Sequence, residues 1–242
     1  MPSKIEWTEE TWNPSVGCTK ISSGCQNCYA EVMAKRLQSM GLQEYRNGFK
    51  FTLLPQRLEQ PLKVKRPTLF FVNSMSDLFH DEMPNDFIDD IFNTIIATPQ
   101  HRYQILTKRS ARMLEYFLTR DIPRNTMIGA TVEDKIHGLP RIADIRQITN
   151  APIRFLSIEP LLENLGTINL TNIDWVIVGG ESGSRARPMQ LEWVTTIREQ
   201  CLTLGIPFYF KQWGTWGEDG VKRSKKKNGR LLEGKIWEQM PD

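Results

Sequence analysis

Two spacings of apolar residues alternate along this chain. Short, nearly continuous apolar runs occur at Thr68–Asn73, Tyr103–Thr107, Thr126–Thr131, Ile153–Ser157, Asp174–Val178 and Pro207–Phe210. They are rich in Val, Ile, Phe and Tyr, and polar or turn residues come after each, as expected of strands. A weaker strand candidate lies within Ile5–Trp12. Between these runs the apolar residues recur at helical spacing. Asp86–Thr98 sets Phe87, Ile88, Ile91, Phe92, Ile95 and Ile96 on one face, behind the start signals Pro84 and Asn85. Ser110 is placed to cap a helix carrying Met113, Leu114, Phe117 and Leu118. Glu192–Leu204 carries Val194, Ile197, Cys201 and Leu204 and stops at Gly205. A further helix is predicted from about Asn27 to Gln38.

Strands separated by helices imply a parallel sheet with right-handed crossovers. Such strands are covered on both faces, which accounts for their near-continuous apolar character. Six or seven units fit the 242 residues. The expected fold class is α/β, a partial (β/α) barrel over 1–214 with a C-terminal extension over 215–242, in preference to an open doubly wound sheet. The residues at the strand ends set this preference. In succession they are Ser74, Ser76 and Asp77; Lys108 and Arg109; Glu133 and Asp134; Glu159; Gly179, Gly180 and Glu181; and Lys211 and Gln212. In a (β/α) barrel these ends meet at one mouth, where active sites sit.

Composition narrows the class without naming it. Hydrophobic residues make up 40% and charged residues 24%, ordinary for a soluble globular protein, and a net charge of +3 does not by itself indicate a nucleic-acid partner. No apolar run approaches the ~18 residues of a membrane span. The opening MPSKIEWTEETWNPS has no apolar core of a secretory signal, so a cytoplasmic protein is expected. In a reducing compartment, clustered cysteines are more often metal ligands or redox groups than disulfides.

The chain has four cysteines, and three of them, Cys18, Cys25 and Cys28, lie in the stretch WNPSVGCTKISSGCQNCYAE, residues 12–31. Cys25 and Cys28 are three apart, so a helix starting near Cys25 sets both thiolates on nearly one face. Gly17 and Gly24 let the intervening segment curl. Three thiolates suit a [4Fe–4S] cluster with one iron open, because such clusters normally take four cysteines. A small chelator then completes the fourth iron, and S-adenosylmethionine, with its amino and carboxylate groups, is the candidate. Reduction of the cluster would cleave its sulfonium to a 5′-deoxyadenosyl radical, with the protein orienting the cofactor. Structural zinc is the rival reading. It wants four protein ligands, and the three histidines, His80, His101 and His137, are all distant in sequence. Cys201 reads as an ordinary core thiol on its helical stripe.

At these residues the chain resembles a phage-associated family of radical-SAM-like, three-cysteine proteins of unknown function (the phage protein Gp37/Gp68 type). The landmarks are TWNPSVGCTKISSGCQNCYAE, MSDLFH, ILTKR, IGATVED, FLSIEPLL, DWVIVGGESG followed by RARPM, FYFKQWG and GRLLEGKIWEQMP, in an order that covers nearly the whole chain. Relative to the wider radical-SAM pattern, C-x3-C-x2-C with an aromatic before the last cysteine, the first gap here is six residues. Asn27 precedes Cys28, and Tyr29 comes after it. The Gly-Gly-Glu segment lies after a late strand rather than the second.

Each candidate residue has an expected role. Cys18, Cys25 and Cys28 ligate the cluster. Ser76 and Asp77 lie where the methionine end of S-adenosylmethionine is held. Glu133 and Glu159 accept from its ribose hydroxyls or amino group. Gly179 and Gly180 allow close backbone approach, with Glu181 beside them. Lys108, Arg109, Lys211 and Gln212 are substrate candidates. For each carboxylate the bland alternative is a salt bridge at the rim, with Lys108, Arg109, Arg185 or Arg187. Trp213 and Trp216 either stack on a base or pack under the C-terminal segment. A reductant or electron-donor protein is implied as partner. The basic run Lys222–Lys227 adds nucleic acid as a further partner through phosphate contacts. A metal-stabilised nucleic-acid-binding or accessory protein without radical chemistry is the alternative function.

Overall fold

A computed structural model describes residues 5–241. The strands are β1 (Glu10–Trp12), β2 (Ser15–Val16), β3 (Thr52–Leu53), β4 (Leu69–Val72), β5 (Arg102–Thr107), β6 (Thr126–Thr131), β7 (Ile153–Ile158), β8 (Trp175–Gly179) and β9 (Phe208–Gln212). The helices are α1 (Tyr29–Ser39), α2 (Asn85–Ile96), α3 (Ser110–Phe117), α4 (Gly138–Gln147), α5 (Leu191–Leu204) and α6 (Lys225–Asn228). One seven-stranded sheet runs in the order β1-β4-β5-β6-β7-β8-β9, and β2 pairs with β3 in a separate antiparallel ladder. The pairs β1–β4, β4–β5, β7–β8 and β8–β9 are parallel. Strand order matches chain order, as strand–helix crossovers of one hand produce. The class is α/β, of the partial (β/α) barrel type expected. No helix among the described residues is long and apolar enough to cross a membrane.

The chain divides into two compact units. The first comprises Met1–Lys20, Cys28–Gly129 and Ile148–Pro152; the second comprises Ile21–Asn27, Ala130–Gln147 and Ile153–Asp242. In the first, α2 buries Phe87, Ile88, Ile91, Phe92 and Ile95, the predicted stripe. Ile96, expected on that face, is 62% exposed in the last turn. Similarly Leu118, just past α3, is exposed, while Met113, Tyr116 and Phe117 are buried. The expected Ser110 cap is not formed. Arg109 occupies the N-cap position, with Ser110 the first helical residue, and the Arg109 side chain makes no cap hydrogen bond. A smaller core of Val16, Ala30, Ala34, Tyr45, Leu54 and Met75 sits beneath α1, and Cys28 packs against it.

In the second unit β8 is buried along its whole length, which fits its unbroken apolar run. Helix α5 buries Val194, Ile197 and Cys201 and ends where Gly205 takes the left-handed backbone, φ 68°, that stops a helix. Leu204 is exposed there. Helix α4 is absent from the sequence-based expectation. Pro140 lies in its first turn, where proline is tolerated because that N–H lacks a helical partner anyway. Between β7 and β8 no helix forms; Leu161, Leu165, Ile168, Leu170 and Ile173 fill the core from loops and turns. The segment after β9 folds back on it: Phe210 N–H donates to Trp237 O (2.9 Å) and the Trp213 indole to Leu231 O (2.7 Å).

Gly180, just past β8, is pressed against the chain itself. A Cβ there would stand 2.0 Å from the Trp213 carbonyl oxygen. Gly180→Ala is therefore expected to destabilise folding by about 2–3 kcal/mol. Urea denaturation should show an earlier midpoint at unchanged slope.

Candidate metal centre

The cysteine segment is fastened in two stretches. Its first stretch belongs to the first unit. Gly17 has φ +81°, and a Cβ there would lie 2.2 Å from Lys50 O, so glycine is required. Gly17 N–H donates to Met75 O (2.9 Å), Cys18 N–H to Phe49 O (3.2 Å) and Ser76 Oγ to Gly17 O (2.8 Å). Asn13 Oδ1 accepts from Met75 N–H and Ser74 Oγ, setting the turn after β4. Ser76 thus holds the cysteine loop through its own hydroxyl.

Asp77 is buried and crowded with donors: Thr107 Oγ1 (2.6 Å), Phe79 N–H (3.0 Å), Lys108 N–H (3.1 Å) and Arg109 Nη1 (3.3 Å). Arg109, also buried, donates on to Thr19 Oγ1 (2.7 Å) and approaches Cys18 Sγ at 3.6 Å. Burial alone would weaken its charge, but Asp77, Cys18 and Asp81 hold the guanidinium protonated. His80 bonds Thr19 Oγ1 through Nε2 (3.0 Å), while its Nδ1 accepts from Glu82 N–H (3.1 Å). Burial first, and the Arg109 charge second, push its pKa down, so the ring stays neutral.

The second stretch, Ile21–Asn27, belongs to the second unit. Ser23–Cys25 forms a short 3-10 turn. Ser22 Oγ donates to Glu133 and lies 3.6 Å from Cys25 Sγ; Ser23 Oγ donates to Asp134. Glu133 is fully buried and paired with Arg141 at 2.6 Å, and Arg141 also donates to Thr131 O. A side chain at Gly24 would press on Glu133, its Cβ only 3.0 Å from the carboxylate. Glu181 binds Arg187 through both oxygens (2.5 and 2.9 Å) and accepts from Asn27 Nδ2 (3.1 Å). Arg187 in turn donates to Ser23 O (3.0 Å). Glu133, Asp134 and Glu181 therefore converge on the backbone and serines that carry Cys25. The ordinary salt-bridge alternative describes Glu133 and Glu181 as they stand. Arg187 is among the expected cations, whereas Arg141 is not.

Glu159 meets Lys211 Nζ at 2.7 and 2.9 Å, and Gln212 Nε2 at 3.4 Å; Gln212 also donates to Gly180 O (2.8 Å). Gly179 faces Glu159, and a Cβ added to it would stand 3.3 Å from that carboxylate. Lys108 contributes its backbone N–H to Asp77. Trp213 is buried, so packing accounts for it. Trp216 donates to Ala186 O (2.6 Å) with the Lys222 ammonium 5.6 Å above its ring. The basic run ends in α6, where Ser224 Oγ accepts from Lys227 N–H.

None of the four cysteines is in a disulfide, and Cys18, Cys25 and Cys28 are all half-buried. Cys28 sits at the N-cap of α1, whose positive end favours an anionic ligand atom. Among the described residues, no group of three or more His, Cys, Asp or Glu side chains is drawn together as a ready-made metal site. The donor set nevertheless suits a soft metal centre: three sulfur donors within eleven residues, with His80 engaged at both ring nitrogens. Sequence reading missed Thr19, Ser22, Ser23, Asn27 and Arg141. The serine pair ahead of Gly24 was the available signal.

The chain belongs to the family described as Protein of unknown function (DUF5131), whose model matches residues 2–241. No curated protein shows significant sequence similarity to it. Among solved structures it is similar to a spore photoproduct lyase mutant at 14% identity and a TM-score of 0.47, over 75% of this chain and 58% of that one. It is also similar to spore photoproduct lyase complexed with dinucleoside spore photoproduct, at 13% identity and a TM-score of 0.45, over 83% and 62%. A third is a double mutant of the same enzyme with bound AdoMet and dinucleoside spore photoproduct, at 13% and 0.44, over 71% and 56%. The chain thus spans less than two thirds of the length of each.

The Asp134 carboxyl makes the second stretch pH-dependent. Burial would raise its pKa, but Ser23 and His137 outweigh it and lower the value from 3.8 to about 2. A lowered folded-state value stabilises the fold above about pH 4 and loses that contribution as pH falls toward 2. Denaturation measured from pH 5 to 2.5 should show a steeper loss for the wild-type chain than for Asp134→Asn.

Proposed function

We propose that the chain is a radical-SAM-like iron–sulfur enzyme in which Cys18, Cys25 and Cys28 ligate a [4Fe–4S] cluster and leave one iron for S-adenosylmethionine. The observation that carries this reading is the cysteine segment itself. It holds three half-buried thiols, none in a disulfide, on a loop whose two stretches are each fixed by buried carboxylate–arginine pairs. A loop of free structural thiols has no need of such fastening, whereas a metal site gains from partners that hold its ligands in place. When bound, the cluster and S-adenosylmethionine would supply reductive cleavage of the sulfonium.

The chain's own residues do the positioning. Asp77, Ser76 and Arg109 hold the backbone around Cys18; Glu133, Asp134 and Glu181, through Ser22, Ser23 and Asn27, hold that around Cys25. The Glu159–Lys211 pair with Gln212, at the ends of β7 and β9, supplies a charged group of each sign and an amide for a polar substrate. Reductive cleavage of the sulfonium consumes one electron, which an external reductant would have to deliver to the cluster. A closed zinc site is the weaker reading. His80, the histidine hydrogen-bonded into the cysteine loop, accepts at Nδ1 and donates from Nε2, so neither nitrogen offers a lone pair without breaking a bond.

Anaerobic reconstitution with iron and sulfide should yield about four irons per chain. Cys18→Ala, Cys25→Ala and Cys28→Ala should each lose most of that iron, and Cys201→Ala should keep it. Equal loading of all four variants would sink the assignment.

A further inference from the structure

Arg109 stands at a strand end, where a cation is expected to face substrate, but its guanidinium is committed elsewhere. Its side chain is 6% exposed. Nη2 donates to Thr19 Oγ1 (2.7 Å) and lies 3.4 Å from Thr19 O; Nη1 reaches Asp77 Oδ2 (3.3 Å) and Cys18 Sγ (3.6 Å). Asp77 cannot swing away, because Thr107 Oγ1, Phe79 N–H and Lys108 N–H also bind it. The orientation of the fork is therefore fixed from behind, with one edge presented to the cysteine loop.

We infer that Arg109 is a positioning residue for Cys18 that also raises the reduction potential of the cluster, by placing a permanent cation and an N–H donor on one ligand sulfur. The inference rests on the cluster reading under Proposed function. A metal-bound thiolate keeps lone pairs that accept hydrogen bonds, and such bonds, with net charge and solvent exposure, set cluster potentials. Reduction adds one electron, and the added negative charge is stabilised by a nearby positive one. Asp77 and Asp81 offset part of the arginine charge, with Asp77 Oδ2 3.3 Å from Nη1 and Asp81 Oδ1 3.4 Å from Nε, but the N–H that approaches the sulfur belongs to the guanidinium itself. Arginine stays protonated at any working pH, so the effect is constant. Only a planar fork can serve Asp77, Thr19 and Cys18 together. A lysine ammonium is a point charge and would give up part of that set.

The test compares wild-type protein with Arg109→Gln, Arg109→Lys and, as a control for losing one exposed charge, Lys65→Gln. Each is reconstituted anaerobically; iron content and the EPR-monitored midpoint potential are measured. For Arg109→Gln the reduced-to-oxidised ratio at a fixed potential should fall at least tenfold, a shift of about 59 mV to more negative potential for one electron. Arg109→Lys should fall between it and wild type, and Lys65→Gln should match wild type. An Arg109→Gln protein with full iron and an unshifted potential overturns the inference. If that variant fails to load, an unshifted Arg109→Lys overturns it instead. A wild-type chain that takes up no cluster overturns the underlying reading, which the iron content reveals before any potential is measured.

Discussion

The buried pairing of carboxylate with arginine is what the cysteine loop depends on. Asp77 with Arg109 holds the stretch around Cys18, and Glu133 with Arg141 holds the stretch around Cys25. Removing one member of such a pair leaves a charge in an apolar interior, which costs about 3–5 kcal/mol, far more than a surface pair is worth. Both carboxylates also collect hydrogen bonds from serine, threonine or backbone groups, so each pair fixes a piece of main chain and not merely two side chains. The loop itself contributes little packing of its own. Its conformation is imposed from the strand ends that face it.

This arrangement changes how the strand-end residues are understood. Ser76, Asp77, Glu133 and Glu181 stand where ligand contacts were expected, and they do face the cysteine segment, but they hold the protein chain. Residues that hold the cysteine loop and residues that would touch a cofactor occupy strand ends alike, and a charged residue there is consistent with either. Glu159, Lys211 and Gln212 differ, because their bonds to one another hold no loop carrying a cysteine. Their place at the ends of β7 and β9 is why the proposed function assigns them to substrate.

Much of the fold was legible because parallel strands buried on both faces read as unbroken apolar runs, as β8 does. Helix α2 was equally clear, since its stripe of Phe87, Ile88, Ile91, Phe92 and Ile95 repeats at helical spacing. Errors gathered at helix ends, where Ile96 and Leu204 extend a stripe that the core no longer covers. Helix α4 was hidden by Gly138 and Pro140, residues that usually mark a break. The site was legible as a set of positions but not as a set of contacts. Ser22 meets Glu133 across 111 residues of chain and Asn27 meets Glu181 across 154, distances over which spacing carries no information. The three cysteines were visible because their spacing is local, within eleven residues of chain.

With three cysteines in the loop and the fourth, Cys201, buried on helix α5, the proposed cluster takes its remaining ligand from a molecule other than protein. Reduced-state EPR of the anaerobically reconstituted chain, recorded with and without S-adenosylmethionine, tests this most directly. A [4Fe–4S] signal whose shape changes on addition of S-adenosylmethionine is the expected result. A cluster signal indifferent to S-adenosylmethionine, or a chain that retains zinc and forms no cluster, would contradict it.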